Sequence, residues 1–294
     1  MGHTSRASIL ELPPLLLGVR TRVTQALDDF LAERREEIHR LDPSATVLVD
    51  ELRRLLAAGG KRLRPGLCYL GFRAAGGDDG DPIVRAAAAM EMLHTFALVH
   101  DDVMDGSTER RGAPTSSVRF ADELGWTSWA HGRSVAILVG DLAAAYASSL
   151  LRTSGFAPER LEPALRRFDR MQVEMAAGQY LDLLGAARRD LPSAEHVAEL
   201  KTGSYTFEGP LLVGAALGAA SAEVEAVLEA YGRPAGEAFQ LRDDVLDREA
   251  VPGAAERVAA LVDEALAALD GLDADPETLA ALDALARSLR LTKG

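Results

Sequence analysis

The sequence contains few of the residues on which several common protein classes depend. Its single cysteine, Cys68, excludes a disulfide framework and a cysteine-based metal site. Aromatic residues make up only 5% of the chain, and runs of β-branched residues are short, a composition that favours helix over sheet. We therefore predict an all-α fold, and we expect the chain to work in a reducing compartment, the cytoplasm.

Positive charge is also scarce. The chain has 32 Lys and Arg residues against 45 Asp and Glu residues, which gives a formal net charge of -13 at pH 7. A protein of this charge repels nucleic acids and anionic lipid surfaces, so we predict neither as a partner. An anionic substrate of such a chain needs local cations or metal ions at its binding site.

Uninterrupted apolar runs of membrane-spanning length are absent from the sequence. The apolar stretch 135–151 contains Asp141 and the stretch 209–220 is too short, so we predict two buried helices and no membrane span. Residues 1–20 lack a long apolar core and a small-residue cleavage site, which argues against a signal peptide. We expect residues 1–18 to form a flexible N-terminal segment.

Apolar residues with helical spacing occupy most of the chain, and no long Gly- or Pro-rich linker interrupts them. We predict a single domain over residues 1–294, an antiparallel helical bundle around a central cavity, with a polar and basic loop at 106–115. The predicted helices cover residues 19–39, 47–58, 61–75, 83–105, 133–153, 158–184, 194–203, 205–219, 221–230 and 233–248.

Two copies of the acidic pattern DDxxD follow apolar helical segments. Residues four positions apart share a helix face, so each copy directs two carboxylates the same way, with a third nearby. The carboxylates repel one another and lie near helix C-termini, where the dipole disfavours negative charge. We predict that the two clusters face each other and hold several Mg²⁺ ions around a diphosphate, with solvated acidic helix ends as the alternative. The clusters are Asp101, Asp102 and Asp105, and Asp243, Asp244 and Asp247.

Cations accompany the first acidic cluster. The segment 59–65 gathers three of them where a helix begins, and backbone N–H groups at a helix start add to anion binding. Arg110 and Arg111 follow the cluster by a few residues, which suits a metal-bridged diphosphate. A solvated basic turn and local salt bridges are the respective alternatives.

Three further positions are candidates for binding an anion. Lys201 and Thr202 stand at a helix break, for which a helix C-cap at Gly203 is the alternative. Gln240 precedes the second cluster on roughly the same helix face. His94 lies one to two turns before the first cluster, and a satisfied core histidine is its alternative.

Taken together, these segments resemble the trans-isoprenyl diphosphate synthases, the all-helical family of farnesyl and geranylgeranyl diphosphate synthases. Six motifs in one order, between about residues 20 and 247, make the resemblance specific. The motifs are GGKRLRP (59–65), EMLHTFALVHDDVMD (91–105), ERRGAPT (109–115), GRSVAILVGD (132–141), KTGSYTFEGPL (201–211) and FQLRDDVLD (239–247).

The resemblance implies a role for each matching residue. It implies Mg²⁺, three ions per active site, bound by the aspartates of both clusters: Asp101, Asp102, Asp105, Asp243, Asp244 and Asp247. The residues that hold the allylic diphosphate are Arg110, Lys201 and Gln240. The residues that hold isopentenyl diphosphate are Lys61, Arg64, His94 and Arg111. Thr202 lies beside the reacting carbons, and members of the family are usually homodimers.

The implied reaction is the joining of an allylic diphosphate to isopentenyl diphosphate. Mg²⁺ and the cations stabilise the diphosphate leaving group, an allylic carbocation forms, the isopentenyl double bond attacks it, and a proton is lost. Phe96, five residues before Asp101, and the small Ala97 beside it suggest a floor under the allylic tail. In the resembling family this pair fits a C20 product, geranylgeranyl diphosphate, with C15 farnesyl diphosphate as the nearest competitor; ordinary core packing of Phe96 is the alternative.

The match weakens after Asp247. The family continues with a glycine-rich loop and a diphosphate-binding lysine, whereas here residues 248–253 run directly into an Ala-rich helix. Either the chain is truly shortened, or a loop is missing from the sequence near 248–253; we favour the second explanation because the upstream motifs are intact.

Two other functions remain open from the sequence. A class I terpene cyclase also ionises a diphosphate with Mg²⁺, but it holds no second diphosphate, so GGKRLRP and the paired arginines argue against it. A non-catalytic regulatory subunit of a prenyl diphosphate synthase would fit the missing lysine segment, but it has no need for two complete aspartate clusters.

Overall fold

The computed structural model describes residues 10–123, 129–187, 205–246 and 253–291. Eleven α-helices account for most of these residues, and their sheet content is one two-stranded hairpin, so the all-α prediction is confirmed. The helices are α1 (Pro14–Leu41), α2 (Thr46–Ala57), α3 (Leu63–Ala74), α4 (Asp81–Met104), α5 (Ser116–Glu123), α6 (Trp129–Arg152), α7 (Pro158–Ala187), α8 (Gly209–Leu217), α9 (Ala222–Leu246), α10 (Ala254–Ala268) and α11 (Pro276–Ser288). The strands are β1 (Glu109–Arg110) and β2 (Ala113–Pro114).

Contacts between residues divide the chain into two compact units. The first unit comprises Met1–Val19, Gly66–Ile83 and Phe156–Gly294. The second unit comprises Arg20–Pro65 and Val84–Gly155. The single domain that the sequence predicts stays a prediction.

In the second unit, amphipathic helices bury their apolar faces. Val49, Leu52 and Leu56 of α2 recur at helical spacing and are all buried. α6 packs against both α2 and α5. The ring of Phe30 on α1 meets Tyr146 on α6 edge to face, with the ring centroids 5.4 Å apart. These contacts hold α1, α2, α5 and α6 together in the second unit.

In the first unit, α7 and α9 pack against α8, and α10 packs against α9 and α11. Glycines let α3 and α8 approach closely. A Cβ on Gly71 would lie 1.9 Å from the carbonyl oxygen of Leu211, and a Cβ on Gly214 would lie 1.9 Å from that of Cys68. The backbones of the two helices therefore touch, and α8 is buried along its whole length.

Two local predictions need correction. The segments 221–230 and 233–248 form one helix, α9, with Pro234 inside it. Gly232 does not end a helix there; a Cβ at Gly232 would lie 2.9 Å from the Cα of Glu208, so the glycine serves a close backbone contact. The predicted loop 106–115 contains the β1–β2 hairpin, because each strand has only two residues and leaves no periodic signal.

Three other local features differ from the prediction or extend it. Residues 205–208 form a π-helical turn ahead of α8, inside the predicted helix 205–219. α5 was not predicted. The predicted helix 194–203 lies outside the described residues.

Two segments of the described helices, Asp81–Met104 and Ala130–Arg152, have the length and composition of membrane-crossing helices. The most apolar part of the first is 67% buried, as expected of a core helix, whereas that of the second is 44% buried. Ile137 and Leu138 on α6 are 42% and 52% exposed. The prediction of a fully buried helix at 135–151 is therefore only half right.

Candidate active site

The first acidic cluster lies at the C-terminal end of α4. The helix ends at Met104, and Gly106, with φ 64°, leaves it in the left-handed conformation. Asp102 is buried with 6% of its surface exposed, and the Asp101 side chain is 26% exposed. Two of the three predicted carboxylates thus stand side by side at a helix end where the dipole is unfavourable to them.

Arg110 bridges these two aspartates. Its Nε donates to Asp102 Oδ1 at 2.7 Å, and its Nη2 donates to Asp101 Oδ2 at 3.3 Å. Burial raises the pKa of Asp102, the hydrogen bond and charge of Arg110 oppose that rise, and Asp101 and Asp105 add to it. A divalent cation would relieve the same repulsion that Arg110 relieves in part.

A tight turn presents the neighbouring arginine. Arg110 pairs with Ala113 across the hairpin, and the two residues between them, Arg111 and Gly112, have φ values of 54° and 76°. Positive φ at both positions is the geometry of a type I′ hairpin turn. A positive φ is unfavourable for an arginine, by about 1–2 kcal/mol, so the surroundings must hold Arg111 in place.

Arg111 joins the hairpin to the basic turn. Its Nη1 donates to the carbonyl of Gly59 at 3.0 Å. The next residue, Gly60, lies beside two guanidinium groups, since a Cβ on it would be 3.5 Å from Arg62 Nη1 and 3.8 Å from Arg111 Nη1. The motifs GGKRLRP and ERRGAPT therefore meet in the second unit through Arg111, which was predicted to bind the same diphosphate as Lys61 and Arg64.

The three cations of the basic turn differ in placement. Lys61 is exposed and Arg64 is partly buried. Arg62, with φ 52°, turns inward and donates to Glu91 Oε1 at 2.5 Å and to the Leu56 carbonyl at 2.6 Å. Arg62 and Glu91 are not among the site residues predicted from the sequence, although a lone glutamate in the apolar run of α4 is a sign that a cationic partner lies elsewhere in the chain.

His94 is partly buried near these arginines. Burial, and then the positive charges of Arg64, Arg111, Arg110 and Arg62, hold the pKa of His94 well below its ordinary value of 6.5. The imidazole is therefore neutral at pH 7. Four arginines thus act electrostatically on one histidine, and three of them, Arg64, Arg110 and Arg111, are predicted to bind the substrates.

Phe96 lies on α4 between His94 and the aspartates. Its ring meets the ring of His100 edge to face, with the centroids 4.7 Å apart. His100 in turn lies 3.2 Å from the Ile137 carbonyl oxygen, and a Cβ on Gly140 would come within 2.2 Å of its ring. Phe96 and the neighbouring Ala97 are both partly buried. The chain-length role of this pair stays a prediction.

The second acidic cluster lies at the C-terminal end of α9, in the first unit. Gln240 Nε2 donates to Asp244 Oδ1 at 2.8 Å, which confirms that Gln240 shares a helix face with the cluster. Asp243 lies 3.6 Å from Arg242, a side chain with 2% of its surface exposed. Lys201, Thr202 and Asp247 lie outside the described residues, as do residues 248–252.

The donor set suits Mg²⁺ supplied together with a phosphate ligand. Among the described residues, no group of three or more His, Cys, Asp or Glu side chains is arranged to hold a metal ion by itself. Mg²⁺ is usually bound by one or two carboxylates, with waters and substrate phosphates completing the octahedron. The hard oxygen donors Asp101 and Asp102, next to cations for a phosphate, fit that mode of binding.

The described residues form an all-helical protein with an aspartate cluster at a helix end in each unit and several arginines near the cluster of the second unit. The family model for polyprenyl synthetases matches residues 45–260. The chain belongs to the polyprenyl synthetase family.

Individual relatives agree with this family. The chain is 36% identical over 214 residues to a short chain isoprenyl diphosphate synthase of Methanothermobacter thermautotrophicus, a match that covers 72% of this chain and 61% of the relative. It is 34% identical over 233 residues to a geranylgeranyl diphosphate synthase of Methanosarcina mazei, covering 78% of this chain and 65% of that one. The matched region thus spans somewhat less than two thirds of the length of these relatives.

A solved structure shares the fold over nearly its full length. The geranylgeranyl pyrophosphate synthase of Corynebacterium glutamicum, solved in complex with isoprenyl diphosphate and magnesium, superposes with a TM-score of 0.83 at 28% sequence identity. The match covers 95% of this chain and 99% of that chain.

Proposed function

We propose that the protein is a Mg²⁺-dependent prenyltransferase that condenses an allylic diphosphate with isopentenyl diphosphate. The observation that carries the proposal is Arg110, which bridges Asp101 and Asp102 at the end of α4 while its neighbour Arg111 reaches the basic turn. Carboxylates for metal and cations for phosphate thereby lie side by side. Relatives named as isoprenyl and geranylgeranyl diphosphate synthases support the same reaction class.

Magnesium binding belongs to the acidic clusters in this proposal. Asp101, Asp102 and Asp105 on α4 bind Mg²⁺ of the allylic diphosphate, and Asp243, Asp244 and Asp247 have the same role in the other unit, for three ions per site. Bound Mg²⁺ neutralises charge on the diphosphate and so makes it a better leaving group. The complex of the Corynebacterium glutamicum enzyme with magnesium supports this assignment.

The basic residues divide between two diphosphates. Arg110, Lys201 and Gln240 hold the allylic diphosphate, and Thr202 lies beside the reacting carbons. Isopentenyl diphosphate is held by Lys61, Arg64, His94 and Arg111. A neutral His94 contributes a ring N–H donor, and a bound diphosphate would favour its protonation, since an anion stabilises the imidazolium form.

The finer assignments follow the resemblance. The product proposed is C20 geranylgeranyl diphosphate, with C15 farnesyl diphosphate as the competitor, because Phe96 and Ala97 occupy the positions below the first cluster. A cytoplasmic homodimer is the proposed working form.

Product analysis tests the proposed function. The protein is incubated with Mg²⁺, isopentenyl diphosphate and dimethylallyl, geranyl or farnesyl diphosphate, and products are identified by mass. We expect a prenyl diphosphate lengthened by C5 units. Hydrocarbon released from an allylic diphosphate alone would indicate a terpene cyclase instead, and activity only with an added partner subunit would indicate a regulatory protein.

Substitutions of the cluster aspartates test whether the activity depends on the two acidic clusters. Asp101→Ala and Asp243→Ala should each lower turnover by about 100-fold or more, since charge stabilisation at the leaving group is lost. Asp283→Asn, which removes a carboxylate from an exposed ion pair with Arg287 on α11, is the control and should leave turnover unchanged. Wild-type turnover in both alanine variants would contradict the assignment.

A further inference from the structure

A buried carboxylate on α2 has no part in the proposed chemistry. The side chain of Glu51 has 0% of its surface exposed. Burial by itself would raise the pKa of Glu51, but hydrogen bonds from Arg54 and Ser116 and the charges of Arg54 and Arg119 outweigh burial and lower it. Glu51 is therefore a buried anion at neutral pH, and such a group persists only where its partners are in place.

Three side chains surround this carboxylate. Arg54 Nε and Nη2 donate to Glu51 Oε2 and Oε1 at 2.8 Å and 2.6 Å, in the paired geometry of an arginine–carboxylate bridge. The Ser116 hydroxyl donates to Oε1 at 2.5 Å, and Arg119 donates to Oε2. Ser116 and Arg119 come from α5, 65 and 68 residues further along the chain.

Helix α5, which Glu51 contacts, begins directly after the β1–β2 hairpin that carries Arg110 and Arg111. Ser116 is the first residue of α5 and directly follows Thr115, which closes the base of the hairpin. The Thr115 amide donates to the Thr108 carbonyl at 3.1 Å, and its hydroxyl donates to the Ser107 carbonyl at 2.8 Å. Arg54 also lies 3.4 Å from the Pro114 carbonyl oxygen. Glu51 thus holds the segment that follows the hairpin against α2.

The tip of the hairpin is bound to the same region. Arg111 donates to the carbonyl of Gly59, in the loop that follows α2. An isolated two-stranded hairpin has marginal stability in water, and this one has two residues per strand and an arginine at positive φ. Its geometry therefore depends on anchors outside itself. Asp102, which accepts from Arg110, is one buried anchor, and Glu51, which holds the exit of the hairpin, is another.

We propose that Glu51 is a positioning residue that sets the Arg110–Arg111 hairpin for diphosphate binding. The inference rests on the proposed function, because it assigns the two arginines to the substrates. Glu51 touches no substrate; it acts through Ser116, Arg119 and the hairpin base. A hairpin held in its binding geometry loses less conformational entropy when a diphosphate binds, so the anchor strengthens binding.

Glu51→Gln tests the proposal with little change in side-chain volume. The amide oxygen can still accept from Ser116, but the charge that holds Arg54 and Arg119 is lost. We expect KM for isopentenyl diphosphate, at saturating allylic diphosphate, to rise by about tenfold while kcat changes by less than about threefold, the pattern of lost binding. If the activity of Glu51→Gln falls only in proportion to the fraction of folded protein, the proposal is wrong. It is also wrong if KM does not change.

A neighbouring ion pair supplies the matched control. Asp50, on the same helix, accepts from Arg35 at 2.7 Å and takes no part in the anchor. Asp50→Asn also removes a charge from α2, and it should leave KM unchanged. In the double variant Glu51→Gln and Arg111→Ala, KM should be less than about twofold above that of Arg111→Ala alone. The effects of two substitutions that act through one element are not expected to add. If the effects of Glu51→Gln and Arg111→Ala on KM add, or if Asp50→Asn raises KM tenfold, Glu51 does not act as an anchor for the hairpin.

A measurement without substrate separates this inference from the proposed function. Amide hydrogen exchange of a peptide covering residues 107–116 should be faster in Glu51→Gln than in the wild type, and unchanged in Asp50→Asn. If the wild-type protein forms no prenyl product, the proposed function is wrong. The exchange data still test whether Glu51 holds the hairpin in place. Unchanged exchange in Glu51→Gln refutes the positioning role whatever the activity.

Discussion

At the scale of single residues, the site combines residues in unusual backbone conformations with buried charges. Arg62 and Arg111 both have positive φ, and both guanidinium groups lie beside Gly60. Each conformation costs free energy that the local contacts of the site must offset, Glu91 for Arg62 and the Gly59 carbonyl for Arg111. Strain at two arginines of one site is typical of a functional constraint.

Phe96 is the residue on which the proposed product length depends. Phe96 lies five residues before the first aspartate and its ring packs against that of His100, so its removal opens space on that side of α4. We expect Phe96→Ala to give a product longer than that of the wild type by at least one C5 unit, measured by mass spectrometry of the released prenyl diphosphates.

A substitution beside Phe96 should act in the opposite direction. Ala97→Phe adds a ring at the neighbouring position and should shorten the product. Phe30→Leu, which alters an aromatic pair elsewhere in the second unit, should leave the product length unchanged. An unchanged product in an active Phe96→Ala variant would show that Phe96 is ordinary core.

Some residues of the site belong to local sequence patterns, and others are recognised only by their contacts with distant parts of the chain. The aspartate clusters, the basic turn and the paired arginines are local patterns, and all could be found from the sequence. The roles of Glu51, Arg62 and Glu91 could not be found. Glu91 lies 29 residues from Arg62, the α5 partners of Glu51 lie 65 and 68 residues from it, and each residue alone resembles an ordinary charge on a helix. Tertiary contacts decide those roles.

At the scale of elements, helical periodicity predicts where helices lie but not how they end or meet. The predicted helix 83–105 corresponds to α4, whereas the predicted break between residues 230 and 233 is absent from α9, which continues through Gly232 and Pro234. Glycine has two uses, ending helices and letting backbones approach, and the sequence alone does not distinguish them.

The contact between α3 and α8 gives a stability prediction. A Cβ on Gly214 would lie 1.9 Å from the Cys68 carbonyl oxygen, so the helices must separate to admit it. The cost of overpacking exceeds the entropic gain of replacing glycine in a helix, so Gly214→Ala should lower the free energy of unfolding by about 1–3 kcal/mol. Chemical denaturation followed by circular dichroism measures the change.

Gly18 on α1 is the matched control for that prediction. A Cβ on Gly18 would meet nothing within 4 Å, so Gly18→Ala adds helix propensity without a clash. It should raise the free energy of unfolding by about 0.5–1 kcal/mol. Equal effects of the two alanines would mean that the α3–α8 contact can relax to accept a methyl group.

At the scale of the whole molecule, a net charge of -13 opposes the binding of a diphosphate. The second unit reverses this locally, because Arg62, Arg64, Arg110 and Arg111 all act on His94. Two kinds of anion binding are therefore expected, one through arginines alone and one through Mg²⁺ held by the aspartates. Thermal unfolding separates them, since a ligand that binds only the folded state raises Tm.

Inorganic pyrophosphate alone should raise Tm modestly, and pyrophosphate with Mg²⁺ should raise it further. At 100 times its Kd a ligand raises the free energy of unfolding by about 2.7 kcal/mol, which is roughly 4 °C in Tm for a chain of this size. Arg111→Ala should lose most of the metal-independent shift, and Asp101→Ala should lose most of the metal-dependent one. If Mg²⁺ adds nothing to the pyrophosphate shift, or adds as much in Asp101→Ala as in the wild type, the first cluster is not a metal site, because removal of a carboxylate ligand would weaken Mg²⁺ binding there.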